Sequence, residues 1–298
     1  MKRKSYSFLI VDILYLAIMI LPILLGIVIK VLTNVPSEGI NVTGSFVYKV
    51  IPMPIQHFLL TDAVVNSFLV IVSLLGLCLY MTHGISKTPN TKRQHLAEMI
   101  VEKCEGLVEE NMGEYFKGYA PFITGILGLS ALSSLLTLFG LYPPTSDLNI
   151  VAGWAILVFI LITYYKLKGG LLNYLKGFTE PIFIMTPLNI LGEIATPVSM
   201  AFRHYGNVLS GSVIAVLIAA ALQGLTSLVL GWLPGFLGDI PFFQIGIPAI
   251  LSLYFDIFSG CMQAYIFAML TMLNISGGFP ADEYKKRMLK KKQKSIAK

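Results

Sequence analysis

Arg203 is the residue whose placement most needs a chemical explanation, because it lies inside a long apolar stretch of this 298-residue chain. After it, no Asp, Glu, Lys or Arg occurs until Asp239. If this stretch spans a bilayer, a charge at its centre costs roughly 2.5–3.5 kcal/mol on insertion scales, and arginine keeps its proton even there. Such a charge is either neutralised by an internal partner or retained for function, facing an ion pathway or a mobile carboxylate.

Two polar stripes run through the apolar sequence, and each falls on one face of a helix. The first stripe, at spacings i, i+4 and i+7, consists of Arg203, Asn207 and Ser210. The second stripe, at spacings i, i+4, i+7 and i+11, consists of Ser252, Asp256, Ser259 and Gln263. Gly206 and Gly211 have no side chains, so another helix can come close to this helix near Arg203. The pattern predicts two helices that form a wall against something else in the membrane.

The ionisable and polar groups of these stripes each have two interpretations. Asp256 is either the internal salt-bridge partner of Arg203 or a protonatable relay in an ion pathway. Gln263 is either a hydrogen-bonding group between helices or a lining group of that pathway. Glu193 is either an ordinary acid at a helix end near the cytoplasmic surface or part of a cytoplasmic access route.

The composition is that of a membrane protein. Hydrophobic residues make up 55% of the chain and charged residues 13%, and the mean hydropathy is +0.75. Soluble domains average roughly 25% charged residues. Apolar runs long enough to span a bilayer predict an all-α polytopic fold with six membrane segments, at residues 8–30, 63–85, 121–142, 148–165, 187–222 and 241–276.

The fifth and sixth segments are longer than a bilayer requires. Each has 36 residues, which make ~54 Å of continuous helix against a hydrocarbon core of ~30 Å. They must therefore tilt strongly, bend or extend past the interface, and Pro197 and Pro248 permit bends. The Gly-rich sequence 223–240 predicts a connection between them, so the two helices are predicted to be antiparallel neighbours.

Residues 92–117 predict a helix of a different kind. Apolar residues recur there at helical spacing, while four glutamates fall elsewhere on the helical wheel. The pattern predicts an amphipathic helix on the cytoplasmic face of the membrane, and a surface helix without a further function is the simpler interpretation.

The distribution of Lys and Arg predicts the orientation in the membrane. With the N-terminus in the cytoplasm, 19 of the 22 Lys and Arg residues fall on the cytoplasmic side, eight of them in the last 14 residues. Both termini are therefore predicted to be cytoplasmic. The first segment is longer than the apolar part of a signal peptide and lacks a cleavage motif, so we expect it to be a retained span.

Several classes of function are disfavoured by the sequence. The net charge of +6 comes mostly from terminal tails, which fit anionic lipid rather than nucleic acid. Three scattered cysteines and four scattered histidines predict neither a disulfide framework nor a metal site, and no cofactor is implied. The absence of HExxH, GxSxG and paired acids at a useful spacing argues against an intramembrane enzyme. One alternative stays open, an independent secondary transporter that binds a small anion at Arg203, although no inverted repeat is visible.

The stretch PLNILGEIATPVSMAFRHYGNVLSG closely resembles the signature of subunit a of the rotary F-type ATP synthase. Three further stretches resemble elements of that family, in the family's order: TPNTKRQHLAEMIVE, PPTSDLNIVAGWAILVF and MQAYIFAMLTMLNIS. The resemblance covers about residues 55–278. It implies an extra N-terminal span with an external loop at 1–54, a subunit a-like membrane core at 55–278 and a basic cytoplasmic tail at 279–298.

The resemblance also implies a mechanism and partners. In this family a non-catalytic subunit of the bacterial cytoplasmic membrane conducts H⁺, or alternatively Na⁺, through two half-channels to and from the carboxylates of a c-subunit ring. Arg203 corresponds to the essential arginine that separates the half-channels and faces the ring, Asn207 to the neighbouring asparagine, and Gln263 to the glutamine of the last helix. The other implied partners are the b-subunit peripheral stalk, the remaining subunits of the complex, among them those that carry out the ATP chemistry, and the lipid bilayer.

One part of the family's pattern is incomplete. Many members pair a carboxylate nine residues after the arginine with a histidine seven residues before the glutamine, or the reverse. Here these positions are Ser212 and Asp256, so the carboxylate is kept on the sixth segment and the histidine is missing. Neither His57 nor His204 is an obvious replacement. The candidate ion-translocation residues are therefore Arg203, Asn207, Asp256, Gln263, Glu193, Ser212 and Ser199.

Overall fold

The computed structural model describes residues 2–33, 44–54, 56–87, 91–179, 182–230, 250–251 and 253–281. The α-helices and strands of this part are, in chain order, α1 Lys2–Thr33, β1 Val47–Ile51, β2 Phe58–Thr61, α2 Asp62–Thr82, α3 Lys92–Met112, α4 Ala120–Leu135, α5 Leu148–Lys168, α6 Leu171–Thr179, α7 Thr186–Leu230 and α8 Gly260–Gly277. Short 3₁₀ turns lie at Glu114–Tyr119, Leu136–Phe139, Pro144–Ser146 and Phe183–Met185, and a π-helix at Tyr254–Ser259 precedes α8.

The predicted all-α polytopic fold is confirmed. Within the described residues, six helical stretches are long and apolar enough to cross a membrane: Phe8–Thr33, Asp62–Thr82, Glu114–Phe139, Leu148–Lys168, Phe183–Val229 and Ile257–Gly277. They match the six predicted segments in number and order, with ends that differ by several residues. The predicted start of the sixth segment, residues 241–249, lies outside the described part of the chain.

A β-hairpin that the sequence did not predict lies between α1 and α2. Its strands β1 and β2 pair antiparallel, with Val47 opposite Thr61. The second strand runs directly into α2, and the amide of Asp62 donates a hydrogen bond to the carbonyl of Phe46 at 2.9 Å. The strands have only five and four residues, which is too short for a reliable alternation of apolar and polar residues.

Polar side chains explain where α2 and α5 begin. The hydroxyl of Thr61 accepts a hydrogen bond from the amide of Val64 at 3.3 Å, in the first turn of α2. The carboxylate of Asp147 accepts one from the amide of Asn149 at 2.9 Å, in the first turn of α5. Such N-caps satisfy amides that have no partner within the helix.

The main hydrophobic core lies between α4, α5 and α8. Its largest fully buried side chains include Ile123 of α4, Val158 of α5, and Phe267 and Met272 of α8. Met200 of α7 packs into the same core. The core therefore supplies the rigid surface against which α7 lies.

The predicted amphipathic helix is present as α3, but it ends earlier than expected. It stops at Met112 because Gly113 adopts φ +83°, a conformation that favours glycine, and a 3₁₀ turn replaces its predicted last turn. Val108 and Met112 are buried in the core, whereas Leu96 and Met99 are 46% exposed. The C-terminal part of α3 is thus anchored to the bundle, and its position at the membrane surface stays a prediction.

The fifth segment is one helix, α7, of 45 residues, which is ~68 Å long. It passes through Pro197 and continues to Leu230. The connection predicted to begin at residue 223 is therefore wrong by eight residues, and its remainder lies outside the described part of the chain. Gly224 alone does not end the helix, because no proline interrupts the backbone hydrogen bonds before Pro234.

The sixth segment carries a π-helix, Tyr254–Ser259, directly before α8. In a π-helix the hydrogen bonds run from residue i to i+5, so side chains rotate about the axis relative to an α-helix. The second polar stripe assumed α-helical spacing throughout. Ser252 and the side chain of Asp256 lie outside the described structure, so this part of the stripe stays a prediction, and Ser259 and Gln263 keep the predicted spacing. Pro248, where a bend was predicted, lies outside the described residues.

The first segment, α1, is docked along α2. Gly76 of α2 lies so close to α1 that a Cβ atom there would come within 2.6 Å of the Met19 backbone nitrogen. Nearer the start of α1, the carboxylate of Asp12 lies 2.8 Å from a guanidinium nitrogen of Arg93 and 2.9 Å from Nδ1 of His83. These contacts pack α1 against α2 and the start of α3, and retention of the first segment stays a prediction.

Candidate functional site

His204 sets the rotation of α7 about its own axis. Its ring is fully buried, and its Nε2 lies 3.2 Å from Oγ of Ser130. The ring also makes edge-on contacts with Trp154 and Phe267, at centroid distances of 6.1 and 5.4 Å. Arg203 is exposed, and successive residues of an α-helix are about 100° apart around its axis. Burial of His204 in the bundle therefore presents Arg203 on the outer surface of α7.

Arg203 lies on a part of α7 that is deep in the membrane-spanning region. The contacts of its neighbour His204 come from three different spans. Phe267 lies at the centre of the span Ile257–Gly277, and Ser130 and Trp154 lie well inside their own spans. The backbone of α7 therefore brings Arg203 to the level of the inner part of these candidate spans.

None of the described side chains forms an ion pair with Arg203. The ion pairs present in this part of the chain join Asp12 to His83 and Arg93, Glu109 to Lys117, and Glu193 to Lys166. Residue Ser252 and the side chains of Ser212 and Asp256 lie outside the described structure. Both interpretations of Asp256, as a partner of Arg203 or as a relay, therefore stay predictions.

Asn207 connects α7 to the sixth segment. Its side-chain amide donates a hydrogen bond to the hydroxyl of Ser259 at 2.9 Å. One turn further, Gly211 lies against Phe255, so that a Cβ atom there would approach the ring to 3.2 Å. The predicted close approach occurs at Gly211, whereas a Cβ atom at Gly206 would meet nothing within 4 Å. The two polar stripes thus meet at Asn207, and the two segments are neighbours as predicted.

Ser199 and Ser210 are exposed on α7, as is Arg203. Ser199 lies one helical turn before Arg203 and therefore on the same face. The hydroxyl of Ser210 donates to the carbonyl of Asn207 at 3.1 Å, a bond within the helix. The exposed surface of α7 near these residues is otherwise apolar and includes Phe202, Ile214 and Leu217. Such a surface fits lipid or another membrane-embedded subunit.

Gln263 is buried in the bundle, with 4% of its side chain exposed. It lies between Ser259, which bonds Asn207, and Phe267, which contacts His204. Its Nε2 and the Nδ1 of His204 are both buried and lack a hydrogen-bond partner among the described atoms. Two polar groups with free hydrogen-bonding capacity therefore lie in one layer between α7 and α8.

Glu193 lies in a polar region at the C-terminal end of α5. Its Oε2 is 2.6 Å from Nζ of Lys166, and its Oε1 accepts a hydrogen bond from the hydroxyl of Tyr174 at 3.5 Å. Burial and the nearby charge of Glu193 raise the pKa of Tyr174. Two adjoining cavities of about 220 and 590 Å³ include Lys166 and Glu193 in their linings. Glu193 thus has an ion-pair partner and borders open space, and both interpretations of this residue stay predictions.

A cavity of about 540 Å³ lies at the opposite, N-terminal end of α5. Its lining includes Tyr142, Asp147 and Tyr205, together with residues of the β-hairpin. The hydroxyl of Tyr142 donates a hydrogen bond to the carbonyl of Ser146 at 3.2 Å. Burial, and then the negative charges of Asp62 and Asp147, raise the pKa of Tyr142 to about 12. The group facing this cavity near neutral pH is therefore a hydroxyl and not a phenolate.

The two polar regions border α7 on either side of the arginine. One reaches α7 at Glu193 and the other at Tyr205, and they lie at opposite ends of α5. Arg203 lies between these two positions in the sequence. The two polar regions are therefore separate along α7, at Glu193 and at Tyr205.

Two residues of this site were missed by sequence reasoning. His204 was interpreted as an isolated histidine, but its partner Ser130 is 74 residues away. Lys166 was assigned only to the cytoplasmic side, and its contact with Glu193 spans 27 residues. The signal available for His204 was its position four residues after the apolar Met200, on one face of the helix. No local pattern pointed to Lys166.

Comparison with known proteins gives a consistent result. The family model described as "ATP synthase A chain" matches residues 64–276. "ATP synthase subunit a" of Geobacter sulfurreducens is 31% identical over 221 residues, which cover 72% of this chain and 86% of the relative. "ATP synthase subunit a 1" of Crocosphaera subtropica is 28% identical over 77% of this chain and 92% of the relative. "ATP synthase subunit a, sodium ion specific" of Propionigenium modestum is 28% identical over 77% and 78%.

Proposed function

The chain belongs to the ATP synthase A chain family, and we propose that it conducts ions as subunit a of a rotary F-type ATP synthase. The observation that carries this proposal is the position of Arg203, exposed at mid-membrane depth between two polar regions. In this role the chain is a multi-pass membrane subunit without a catalytic site, and other subunits carry out the ATP chemistry. The independent-transporter alternative has no comparable support from the relatives.

The proposed mechanism uses Arg203 as a fixed charge that acts on carboxylates of a neighbouring c-subunit ring. A ring carboxylate that arrives opposite a guanidinium favours its ionised form, because the opposite charge stabilises it. The carboxylate must therefore release its ion before it passes Arg203. Arginine is suited to this role because it stays protonated in apolar surroundings, where a lysine loses its proton more readily.

Two half-channels complete the proposed path. The polar region at Glu193 serves the cytoplasmic side, and the cavity at Tyr205 serves the outer side. Ions reach a ring carboxylate through one region and leave through the other after the ring has turned. The positive charge of Arg203 opposes direct passage of a cation between the two regions. Asn207 and Ser259 hold α7 against the sixth segment at the height of this barrier.

The coupling ion is proposed to be H⁺, with Na⁺ as the alternative. The relative from Propionigenium modestum is named as sodium-specific, and its identity to this chain equals that of other relatives. Ion-driven ATP synthesis in vesicles distinguishes the two ions. If a sodium gradient drives synthesis while a protonophore is present, the coupling ion is Na⁺. If the protonophore abolishes synthesis completely, the coupling ion is H⁺.

Co-purification tests whether the chain belongs to a rotary complex. Extraction in mild detergent should give a stable assembly that contains a small hairpin-like proteolipid with a membrane carboxylate, together with soluble ATPase subunits. A chain that purifies alone as a monomer or homodimer, under conditions that preserve the soluble subunits, would contradict the proposal and support an independent transporter.

The contribution of Asp256 can be measured by comparing two variants. Asp256→Asn removes the carboxylate of the proposed relay, whereas Ser212→Ala removes only a hydroxyl at the other relay position. We expect Asp256→Asn to reduce ion-driven ATP synthesis far more than Ser212→Ala, because a carboxylate can bind and release a cation, whereas a serine hydroxyl does not ionise near neutral pH. Equal and mild effects of the two changes would remove Asp256 from the pathway.

A further inference from the structure

The β-hairpin Val47–Thr61 lies before the part of the chain that matches the family, which begins at residue 64. It is nevertheless fixed to the membrane bundle. Thr61 is both the last residue of β2 and the N-cap of α2, so no linker separates the hairpin from the helix. The hydrogen bond from the amide of Asp62 to the carbonyl of Phe46 ties the start of β1 to the same point. The position of the hairpin is therefore set by α2.

The hairpin and the bundle enclose the 540 Å³ cavity between them. Val47, His57 and Leu59 form part of the wall on the hairpin side. Tyr142, Asp147 and Tyr205 line the cavity on the side of the bundle. A molecule of liquid water occupies ~30 Å³, so the space is large enough for a chain of water molecules. Without the hairpin, this region of the bundle has no wall on one side.

The polar groups of the bundle side favour a cation. The carboxylate of Asp147 is held in place by its N-cap hydrogen bond to the amide of Asn149. Asp62 is close enough for its charge to act on the hydroxyl of Tyr142 together with that of Asp147. The side chain of Lys30, whose charge acts on Asp62, is bonded to the carbonyl of Gly140. Two carboxylates near one opening increase the local concentration of cations.

The cavity leads toward the segment that carries the arginine. Tyr205 of α7 lines it, and Tyr205 is two residues after Arg203. The cavity also lies at the opposite end of α5 from the polar region at Glu193. It therefore combines an opening beside the hairpin with an inner end on α7.

We propose that the hairpin Val47–Thr61 forms the outer wall of the entrance through which a hydrated monovalent cation reaches α7 from the outer side of the membrane. The inference rests on the proposed ion-translocating function and adds a structural element to it. In this chain, the outer access route is built in part by a segment that precedes the family-matched core. His57, Val47 and Leu59 are then entrance residues, although none of them belongs to the arginine-bearing segment.

A pair of cysteine variants on one strand tests this inference. Val47 lines the cavity, whereas Val50 of the same strand does not, and both valines are exposed (41% and 50%). Intact cells that carry Val47→Cys or Val50→Cys are treated with a bulky, membrane-impermeant thiol reagent. Inverted vesicles are then prepared, the degree of labelling is measured by mass spectrometry, and ion-driven ATP synthesis is compared with that of untreated vesicles of the same variant. Treated wild type controls for Cys78, Cys104 and Cys261.

A charged cleft raises the rate of ion association by a factor that begins at about ten. Labelling of Val47→Cys blocks the cleft and is therefore expected to reduce ion-driven ATP synthesis by about tenfold. Labelling of Val50→Cys should leave the rate within experimental error. Hydrolysis of ATP by the detached soluble subunits should not change in either variant. The inference is overturned if fully labelled Val47→Cys retains its rate, or if both labelled variants lose activity to the same extent.

The variant Arg203→Ala separates failure of this inference from failure of the proposed function. Loss of synthesis in Arg203→Ala, with no effect of the label at Val47, would leave the proposed function intact and remove the hairpin from the ion path. Normal synthesis in Arg203→Ala would overturn the proposed function itself, and with it the role of the hairpin.

Discussion

At the scale of single residues, the neighbouring residues Arg203 and His204 of α7 differ in their surroundings and in their roles. His204 is fully buried and contacts Ser130, Trp154 and Phe267, which belong to three different helices. Arg203 is exposed and has no ion-pair partner among the described side chains. The buried residue thus fixes the orientation of the helix, and this orientation presents the charged residue on the outer surface of α7.

Replacement of His204 by alanine should lower the stability of the isolated chain in detergent. The change leaves a cavity in the core and removes the partner of the Ser130 hydroxyl, and large-to-small changes at buried sites cost on the order of 2–5 kcal/mol. The measurement is the thermal unfolding midpoint of the purified chain. Phe202→Ala is the matched control, because Phe202 is 56% exposed and its removal creates no internal cavity. Equal midpoints for the two variants would contradict the anchoring role of His204.

Replacement of Glu193 by glutamine should lower the pKa of Tyr174. Burial is the first cause of the raised pKa of this tyrosine, and the charge of Glu193 is the second. A negative charge disfavours the tyrosinate, so its removal lowers the pKa while the effect of burial stays. The shift can be followed by NMR of ring-labelled tyrosines, with Tyr174→Phe to assign the signal. An unchanged pKa would show that Glu193 does not face Tyr174 in solution.

The sequence was sufficient to single out Arg203, Asn207 and Glu193, because a charged or amide residue in an apolar run is recognisable without knowledge of its contacts. It could not show what His204 and Gln263 contact. Those contacts join α4, α7 and α8, whose residues are far apart in the chain. Long-range packing of this kind leaves no local periodic signal, since one buried histidine resembles any other isolated histidine.

At the scale of helices and strands, the length of an element was predicted better than its irregularities. The long fifth segment was expected, and α7 is longer still because nothing in residues 223–230 interrupts its hydrogen bonds. The π-helix before α8 was not expected, since its sequence YFDIFS has no proline or glycine to mark it. The β-hairpin was also missed, because two short strands give too few residues for a pattern.

The contact between α1 and α2 can be tested at Gly76. A Cβ atom there would come within 2.6 Å of the Met19 backbone, which cannot move aside as a flexible side chain can. Gly76→Ala should therefore separate the two helices and lower the thermal unfolding midpoint. Gly128→Ala is the matched control, because its Cβ atom would meet only the Leu74 side chain, at an ordinary 3.5 Å. A similar midpoint for both variants would indicate that α1 is not packed on α2 as described.

At the scale of the whole molecule, the chain combines a family-matched membrane core with α1 and the hairpin in front of it. The core carries the arginine and its supporting residues. Of the preceding elements, α1 packs on α2 and the hairpin forms one wall of the 540 Å³ cavity. The two polar regions at opposite ends of α5 and the exposed charge between them are features of the assembled bundle, and no single segment contains them.

The orientation of the bundle is a prediction about the whole molecule. The concentration of Lys and Arg in the tails and in alternate connections places both termini in the cytoplasm. A peptide tag at the C-terminus should therefore be cleaved by protease in inverted vesicles and protected in intact cells. Cleavage in intact cells would reverse the orientation and would exchange the outer and cytoplasmic roles assigned to the two polar regions.

The most direct test of the proposed function is ion-driven ATP synthesis in inverted vesicles that contain Arg203→Ala. The variant complex should assemble with its proteolipid and soluble subunits, because Arg203 is exposed and makes no described ion pair that the fold requires. Synthesis should nevertheless be abolished, whereas Lys87→Ala, which removes an exposed cation away from both polar regions, should retain it. Normal synthesis in an assembled Arg203→Ala complex would contradict the claim that this arginine separates two ion paths.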